Sequence, residues 1–381
     1  MLDEAVPGIW LAVGSHDLKS SVRRPPEWQI TLFECPPALL TPEVDGSRLY
    51  KLDLGGWPPV RTVLLDQAGT VLNRSTASLS TLLGTESNTP LGLLRAAAGS
   101  SVQLYPHVDS YLGCARFIAL PAEPSERGAA VSDLLAGIDE HFLKVCNYLC
   151  FRVKLLPDVE LEHKFTLTAD PDVYALAQET LRMAGRGELP GWLVEFREEI
   201  QSWDFLNHVY AIEEPIEEAG YVSFIPTTDG RHTVKRKIFT EDTDERPELR
   251  SRGVDIGAGF ESHIREVMNL TPGWNASFRR VRYDVSVESI QNGNVFGIAY
   301  DRSTIIDSDG VPIPGLAELT QCEIEYIYSQ SLSPVDFDSV RQDLGELRRL
   351  MSAYFDQHGI ENYQRHESKL TFMRNQYAAA G

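Results

Sequence analysis

Residues 159–167 read Val159-Glu-Leu-Glu-His-Lys-Phe-Thr-Leu167, and charged residues alternate with apolar or β-forming ones along this stretch. A period of two is typical of a β-strand with two different faces, so Glu160, Glu162 and Lys164 are expected to share one face. Two carboxylates one step apart on a strand repel each other, and a bound divalent metal would offset that repulsion. The stretch therefore predicts either a solvated surface strand or a metal site that also holds an anion.

Similar charged strands follow later in the chain. The charged positions that share a face within their strand are Lys235 and Lys237, then Arg280, Arg282 and Asp284, and finally Glu323 and Glu325, while Asp301 ends an apolar run. Several such strands in one domain predict either a sheet that turns this face to bulk water or a sheet that closes, so that the charges line a common interior. Such a lining would bind an anion through Lys and Arg and a hard cation through carboxylates, as a polyphosphate with Mg²⁺ or Mn²⁺ requires. By the same parity, His163, Arg236 and Arg279 are expected to face away from the interior.

The length of 381 residues predicts two domains. Residues 1–128 are expected to form a mixed, mainly β domain of unknown role, with strands over 28–33 and 61–65 and a helix over 90–98. Residues 129–154 are expected to form a connecting helix, because apolar residues recur there at helical spacing. Residues 155–381 would hold the charged strands, with helices over 172–183, 193–205 and 335–355.

Charge is spread unevenly along the chain. The formal net charge is −20, with 16 acidic and 13 basic residues up to position 154 and 39 acidic and 22 basic residues after it. So acidic a second half is a poor general binder of nucleic acid or of an anionic membrane, and an anionic ligand would need a local basic cluster. Five scattered cysteines, an acidic N-terminus and the lack of a long apolar run predict a cytoplasmic setting.

The second half resembles the CYTH, or triphosphate tunnel metalloenzyme, superfamily over roughly residues 155–375. The motifs occur in that family's order: Glu160-x-Glu162-x-Lys164, Lys235 and Lys237, Arg280 and Arg282, Asp301, Glu323-x-Glu325, and Lys369 after a long helix. The resemblance implies an α+β protein with an antiparallel eight-stranded β tunnel, a closed barrel with flanking helices. The N-terminal domain lies outside the resemblance and could serve dimerisation or protein binding.

The resemblance also implies roles for individual residues. The implied ligands of Mg²⁺ or Mn²⁺ are Glu160, Glu162, Asp301, Glu323 and Glu325. The implied phosphate-binding residues are Lys164, Lys235, Lys237, Arg280, Arg282 and Lys369. The implied catalytic residues are Glu162, Lys164, Lys237 and Arg282.

The first functional prediction is a metal-dependent phosphohydrolase that acts on inorganic triphosphate, thiamine triphosphate or a nucleotide. The alternatives are a nucleotidyl cyclase, an enzyme that processes another diphosphate ester, and a non-catalytic polyphosphate-binding module. The charged residues alone do not separate these alternatives, because each of them needs the same cations around the phosphates.

Overall fold

Two units make up the computed structural model, which describes residues 8–41, 48–83, 87–96, 101–195, 199–241, 243–364 and 367–380. The first unit contains Met1–Val153, Ile290–Gly293 and Ser329–Val335. The second unit contains Lys154–Ser289, Asn294–Tyr328 and Asp336–Gly381.

The first unit is an antiparallel sheet in which apolar residues pack under the strands. Its strands are β1 (Ile9–Ser15), β2 (Gln29–Glu34), β3 (Leu40–Thr41), β4 (Leu49–Asp53), β5 (Val60–Asp66), β6 (Val71–Ala77), β7 (Asn88–Ala96), β8 (Ser101–Tyr111), β9 (Cys114–Ile118) and β10 (Ser125–Glu126). Their order is β3-β4-β9-β8-β7-β1-β2-β5-β6, and β10 pairs with β8. Leu11, Phe33 and Tyr105 belong to its buried core.

The helix predicted over residues 90–98 is wrong, because this stretch belongs to β7. Strand β7 lies between β1 and β8, and the run from Pro90 to Leu94 is buried. A strand in the middle of a sheet, covered on both faces, carries a continuous apolar run that periodicity alone does not distinguish from a buried helix. Residues 97 and 98 of the prediction lie outside the described residues.

The α-helices of the first unit, among the residues that the structure describes, are α1 (Leu79–Leu83), α2 (Ala130–Glu140) and α3 (Phe142–Cys146). Helices α2 and α3 occupy the stretch 129–154, where a single connecting helix was predicted. They are separate because His141 has a ψ of 22°, outside the helical range. The break lets both helices contact β8, where Leu134 of α2 and Val145 of α3 are buried.

The second unit is a closed barrel. Its strands are β11 (Val159–Leu167), β12 (Trp192–Val194), β13 (Ile200–Ile212), β14 (Gly220–Pro226), β15 (His232–Ile238), β16 (Glu245–Val254), β17 (Pro272–Ser289), β18 (Asn294–Ile306), β19 (Leu319–Ser329) and β20 (Asn362–Gln364). Eight of them pair in the order β17-β13-β14-β15-β16-β11-β19-β18, and β18 pairs back with β17. Strands β12 and β20 pair with β17 and β11 outside this ring. The predicted fold class is therefore confirmed.

The helix predicted over residues 193–205 is wrong. Trp192–Val194 forms β12, and β13 begins at Ile200; residues 196–198 lie outside the described residues. Strand β13 pairs with β17 from Ile200 to Ile212 and is needed to close the ring. The local sequence is compatible with either a helix or a strand, and the long-range pairing with β17 selects the strand.

Helices flank the barrel and cover apolar faces of its strands. They are α4 (Val173–Gly185), α5 (Phe260–Ser262), α6 (Phe337–Gln357) and α7 (Lys369–Ala380). Outward side chains such as Phe165, Ile298 and Ile324 pack in one cluster with Val340 and Leu347 of α6. The start of α7 closes one end of the barrel, because Leu370 packs with residues that include Val209 and Phe278. Among the helices of the described residues, none is long and apolar enough to cross a membrane.

Candidate functional site

Charged side chains surround a cavity of about 750 Å³ inside the barrel. Among the described residues, the basic side chains on the inward face or in ion pairs with it are Lys164, Lys235, Lys237, Arg246, Arg250, Arg252, Arg280, Arg282 and Lys369. The acidic ones are Glu160, Glu162, Glu248, Asp284, Asp301, Glu323 and Glu325. Nine basic against seven acidic groups give this interior a net charge of +2 when all are ionised.

The charged face of β11 is buried. Glu160, Glu162 and Lys164 are only 2–5% exposed, which rules out the solvated-strand alternative. The Lys164 Nζ lies 2.7 Å from Glu162 Oε1 and 3.7 Å from Glu323 Oε1. Pairing of β11 with β19 sets Lys164 opposite Glu323 and Glu162 opposite Glu325, so the two carboxylate pairs predicted from sequence come together.

Sequence reasoning missed Arg246, which lies on β16 directly opposite Glu160. Its Nε is 3.2 Å from Glu160 Oε2, and its Nη2 donates to Glu162, so one guanidinium bridges both glutamates. Burial opposes its charged form, but Glu162 and Glu160 outweigh that effect and raise the pKa of Arg246. A signal for β16 exists in the sequence, because Arg246, Glu248, Arg250 and Arg252 alternate at period two.

Lysines of β15 pair with the same group of carboxylates. Lys237 donates to Glu160, and its Nζ lies 3.2 Å from Glu248 Oε2. Lys235 Nζ is 3.6 Å from Glu248 Oε1. Burial disfavours the charged form of Lys237, but Glu160, Glu248 and other neighbours together outweigh it and raise the pKa of Lys237 well above its usual value. Lys235 differs, because burial dominates and lowers its pKa.

Strand β17 and α7 supply the cations of the opposite wall. Arg280 Nη2 lies 2.7 Å from Glu323 Oε2 and also donates to Asp301. Arg282 Nη1 is 3.2 Å from Glu323 Oε2. Lys369 Nζ lies 3.1 Å from Asp301 Oδ2, and burial lowers the pKa of Lys369 to about 8. The residue is therefore a buried cation at the closed end of the cavity.

Glu325 is held more loosely than its neighbours. It forms an ion pair with Arg282, whose Nη2 lies 3.8 Å from Glu325 Oε2. Burial, and then repulsion from Glu160, raise the pKa of Glu325 above that of an ordinary glutamate. A carboxylate of this kind can accept a proton more readily than the tightly paired Glu162 or Glu323.

The carboxylates predicted as metal ligands are all in ion pairs with Lys or Arg. Among the residues that the structure describes, no three acidic, histidine or cysteine side chains are arranged to hold a metal ion. The oxygen donors suit Mg²⁺ or Mn²⁺. However, a metal at Glu160 and Glu162 would have to displace Arg246 and Lys237. As arranged, the site does not fit a metal, and the predicted metal roles stay predictions.

The residues expected to face away from the interior differ in their surroundings. Arg279 is exposed and pairs with Asp204, with Nε 2.8 Å from Oδ1. Arg236 is buried instead, and its guanidinium donates to the carbonyl oxygens of Tyr221 and Lys237. His163 is also buried, packed edge-on against Phe165. Parity thus placed these side chains on the outer face but did not predict that Arg236 is covered.

No model of a known protein family matches the chain, and no curated protein matches its sequence. Among solved structures, the chain is similar to the RNA triphosphatase Pct1 of S. pombe, in complex with the Spt5 CTD. The sequence identity is 14%, and the match covers 63% of this chain and 88% of that chain with a TM-score of 0.24. A TM-score this low supports no conclusion about the fold or function of this chain.

Proposed function

We propose that the barrel binds a triphosphate and hydrolyses its terminal phosphoanhydride bond. The observation that supports this most is that eight basic side chains line one cavity and a ninth, Arg246, pairs with its glutamates, in a chain whose net charge is −20. The carboxylates that line the cavity leave an excess of positive charge, which an anionic ligand would neutralise. A polyphosphate presents charged oxygens along its length and matches a row of cations better than a ligand with a single charge.

In the proposed reaction, the lysines and arginines hold the phosphate oxygens and stabilise the charge that develops on the leaving diphosphate. A water oxygen attacks the terminal phosphorus, and its proton passes to Glu325. The bond between that phosphorus and the bridging oxygen breaks, which yields inorganic phosphate and a diphosphate. The raised pKa and loose pairing of Glu325 support its role as the base.

Product analysis tests the proposal. The purified protein is incubated with tripolyphosphate and a panel of nucleoside triphosphates, with and without Mg²⁺ or Mn²⁺, and phosphate, pyrophosphate and cyclic nucleotide are measured. Release of phosphate supports the proposal. Cyclic nucleotide with pyrophosphate would support the cyclase alternative, and tight binding without any product would reduce the barrel to a binding module.

A matched pair of arginines on β17 separates the interior from the outer face. Arg282→Gln removes a cation that contacts Glu323 inside the cavity, whereas Arg279→Gln removes an exposed one. We expect Arg282→Gln to lower kcat/KM roughly 100- to 1,000-fold, as for other buried groups that stabilise transition-state charge. Arg279→Gln is expected to retain wild-type activity, and equal losses from both variants would contradict the assignment of the interior.

A further inference from the structure

The first unit contains a cavity of its own, with a volume of about 110 Å³, on the face of the sheet that carries Trp10. Neighbouring residues of a strand turn to opposite faces, so Leu11 and the buried core that it belongs to lie on the other side of the sheet. The cavity is lined by Trp10, Arg61, Thr62, Val63, Arg74, Ser75, Leu94, Ala96, Val102 and Arg127. None of these residues belongs to the barrel.

The floor of this cavity is apolar. Trp10 on β1 pairs with Leu94 on β7, and Val102 on β8 pairs with Ala96 on β7. Trp10, Val63, Leu94 and Val102 are only 1–5% exposed. An apolar cavity of about 150 Å³ in another protein stays dry and binds benzene. The space above this floor therefore suits an apolar group of about one six-membered ring.

Arginines adjoin the apolar floor. Arg61, Arg74 and Arg127 line the cavity, and no acidic residue does. Arg61 holds Glu34 with two hydrogen bonds, from Nε to Oε2 at 2.7 Å and from Nη2 to Oε1 at 2.6 Å. Its guanidinium lies 5.9 Å from the centre of the Trp10 ring. The charge of Arg61 is therefore matched within the protein, and its position beside the floor is fixed.

Arg74 is the cation that a ligand would meet. Strand pairing sets it opposite Val63 of the floor, on the last strand of the sheet order. Within the described part of the chain, its side chain has no ion pair or hydrogen bond. An exposed arginine is ordinarily paired with water alone. Here it adjoins a buried apolar surface, so one ligand can contact both.

We propose that this cavity binds a small monocarboxylate whose apolar body is about one ring in size. The body covers the floor, and the carboxylate accepts two parallel hydrogen bonds from the Arg74 guanidinium, whose fork matches a carboxylate. A single negative charge fits best, because Arg61 already has Glu34 as its partner. The inference does not rest on the function proposed for the barrel, since the two cavities share no residue.

A fluorinated probe tests the inference on the full chain. Binding of 4-fluorophenylacetate is followed by fluorine NMR relaxation, and we expect a Kd of about 0.1–1 mM for a ligand of this size. Phenylacetate should displace the probe at similar concentrations. Phenylacetamide keeps the shape without the charge, and acetate keeps the charge without the ring, so each should bind about tenfold more weakly or worse. Equal displacement by either compound would overturn the inference.

Replacement of Arg74 tests the carboxylate contact. Arg74→Gln is expected to raise the Kd of the probe about tenfold, the loss expected for a hydrogen bond to a charged group. Arg23→Gln is the matched control, because Arg23 is exposed in the same unit and lies outside the cavity, 4.0 Å from Asp17. An unchanged Kd in Arg74→Gln, or an equal loss in both variants, would overturn the inference.

A cavity-filling variant locates the probe. Ala96→Leu places a larger side chain in the cavity and leaves the basic barrel interior unchanged, so binding should be lost while circular dichroism stays that of the wild type. Probe that still binds to Ala96→Leu and is displaced by tripolyphosphate would lie in the barrel, which would overturn the inference. Arg74→Gln alters an exposed side chain, so its result stands even where Ala96→Leu does not fold.

Discussion

The two units are both built from antiparallel strands but differ in the kind of side chain that they bury. Among the described residues, Asp109 and Arg116 are the charged side chains buried in the first unit, against twelve in the second. The first unit fills its interior with side chains such as Leu11, Phe33 and Tyr105. In the second unit a large apolar cluster lies outside the barrel, packed with α4 and α6. Burying charge costs free energy, so the charged interior of the barrel stabilises the fold less than a packed apolar interior would. Its lining instead suits a charged ligand.

Replacement of Arg246 tests this comparison and is expected to have the largest effect on stability. Arg246→Met removes the guanidinium that bridges Glu160 and Glu162, so each of these buried carboxylates loses one of its positively charged partners. We expect the free energy of unfolding to fall by about 3–5 kcal/mol, measured by urea denaturation. Arg279→Met, at an exposed ion pair, is the control and is expected to have no measurable effect.

Two outcomes would revise this description of the lining. An unchanged stability of Arg246→Met would mean that the bridging ion pair contributes nothing net to the barrel. Recovery of the lost stability on addition of Mn²⁺ would instead support the metal ligands predicted from sequence, because a cation would then replace the guanidinium.

Protonation of His107 tests the first unit and is expected to have an intermediate effect on stability. His107 is buried, with Nδ1 2.6 Å from Lys19 Nζ and Nε2 2.8 Å from Ser110 Oγ, and its ring packs against Phe117. Burial, and then Lys19, lower the pKa of His107 well below its usual value. Below pH 6.5 the unfolded chain therefore takes up a proton that the folded state does not, and stability falls as pH falls.

From pH 7 to pH 5 we expect this effect to lower the free energy of unfolding by up to about 2 kcal/mol, the limit set by the unfolded pKa of histidine. Denaturation of wild type and His107→Gln at both pH values measures it. A pH dependence that is the same in both proteins would show that His107 does not cause the loss of stability.

Removal of metal has the smallest expected effect. The carboxylates of the barrel already have Lys or Arg partners, so tripolyphosphate is expected to bind to the cations without a metal. The Kd measured by calorimetry in EDTA should be within tenfold of the value in Mg²⁺, a difference below about 1.4 kcal/mol. Abolished binding in EDTA, with recovery on addition of Mn²⁺, would favour the metal site predicted from sequence.

The sequence by itself determined which strands carry charge and which face the charges share. Period-two alternation is local, because each residue of a strand turns its side chain to the face opposite its neighbour. This was enough to predict the strands around Glu160, Lys235, Arg280 and Glu323, whereas the closure of the sheet was expected only from the family resemblance. It failed for β7 and β13, where the neighbouring strands rather than local pattern decide the structure.

Tertiary structure alone decided which charges meet. Pairing of β16 with β11 sets Arg246 against Glu160, and the start of α7 brings Lys369 to Asp301. Register between distant strands fixes these contacts, and the sequence of one strand does not contain the register of its partner. The same register sets Trp203 opposite Arg282, so an aromatic side chain and a cation line the same cavity.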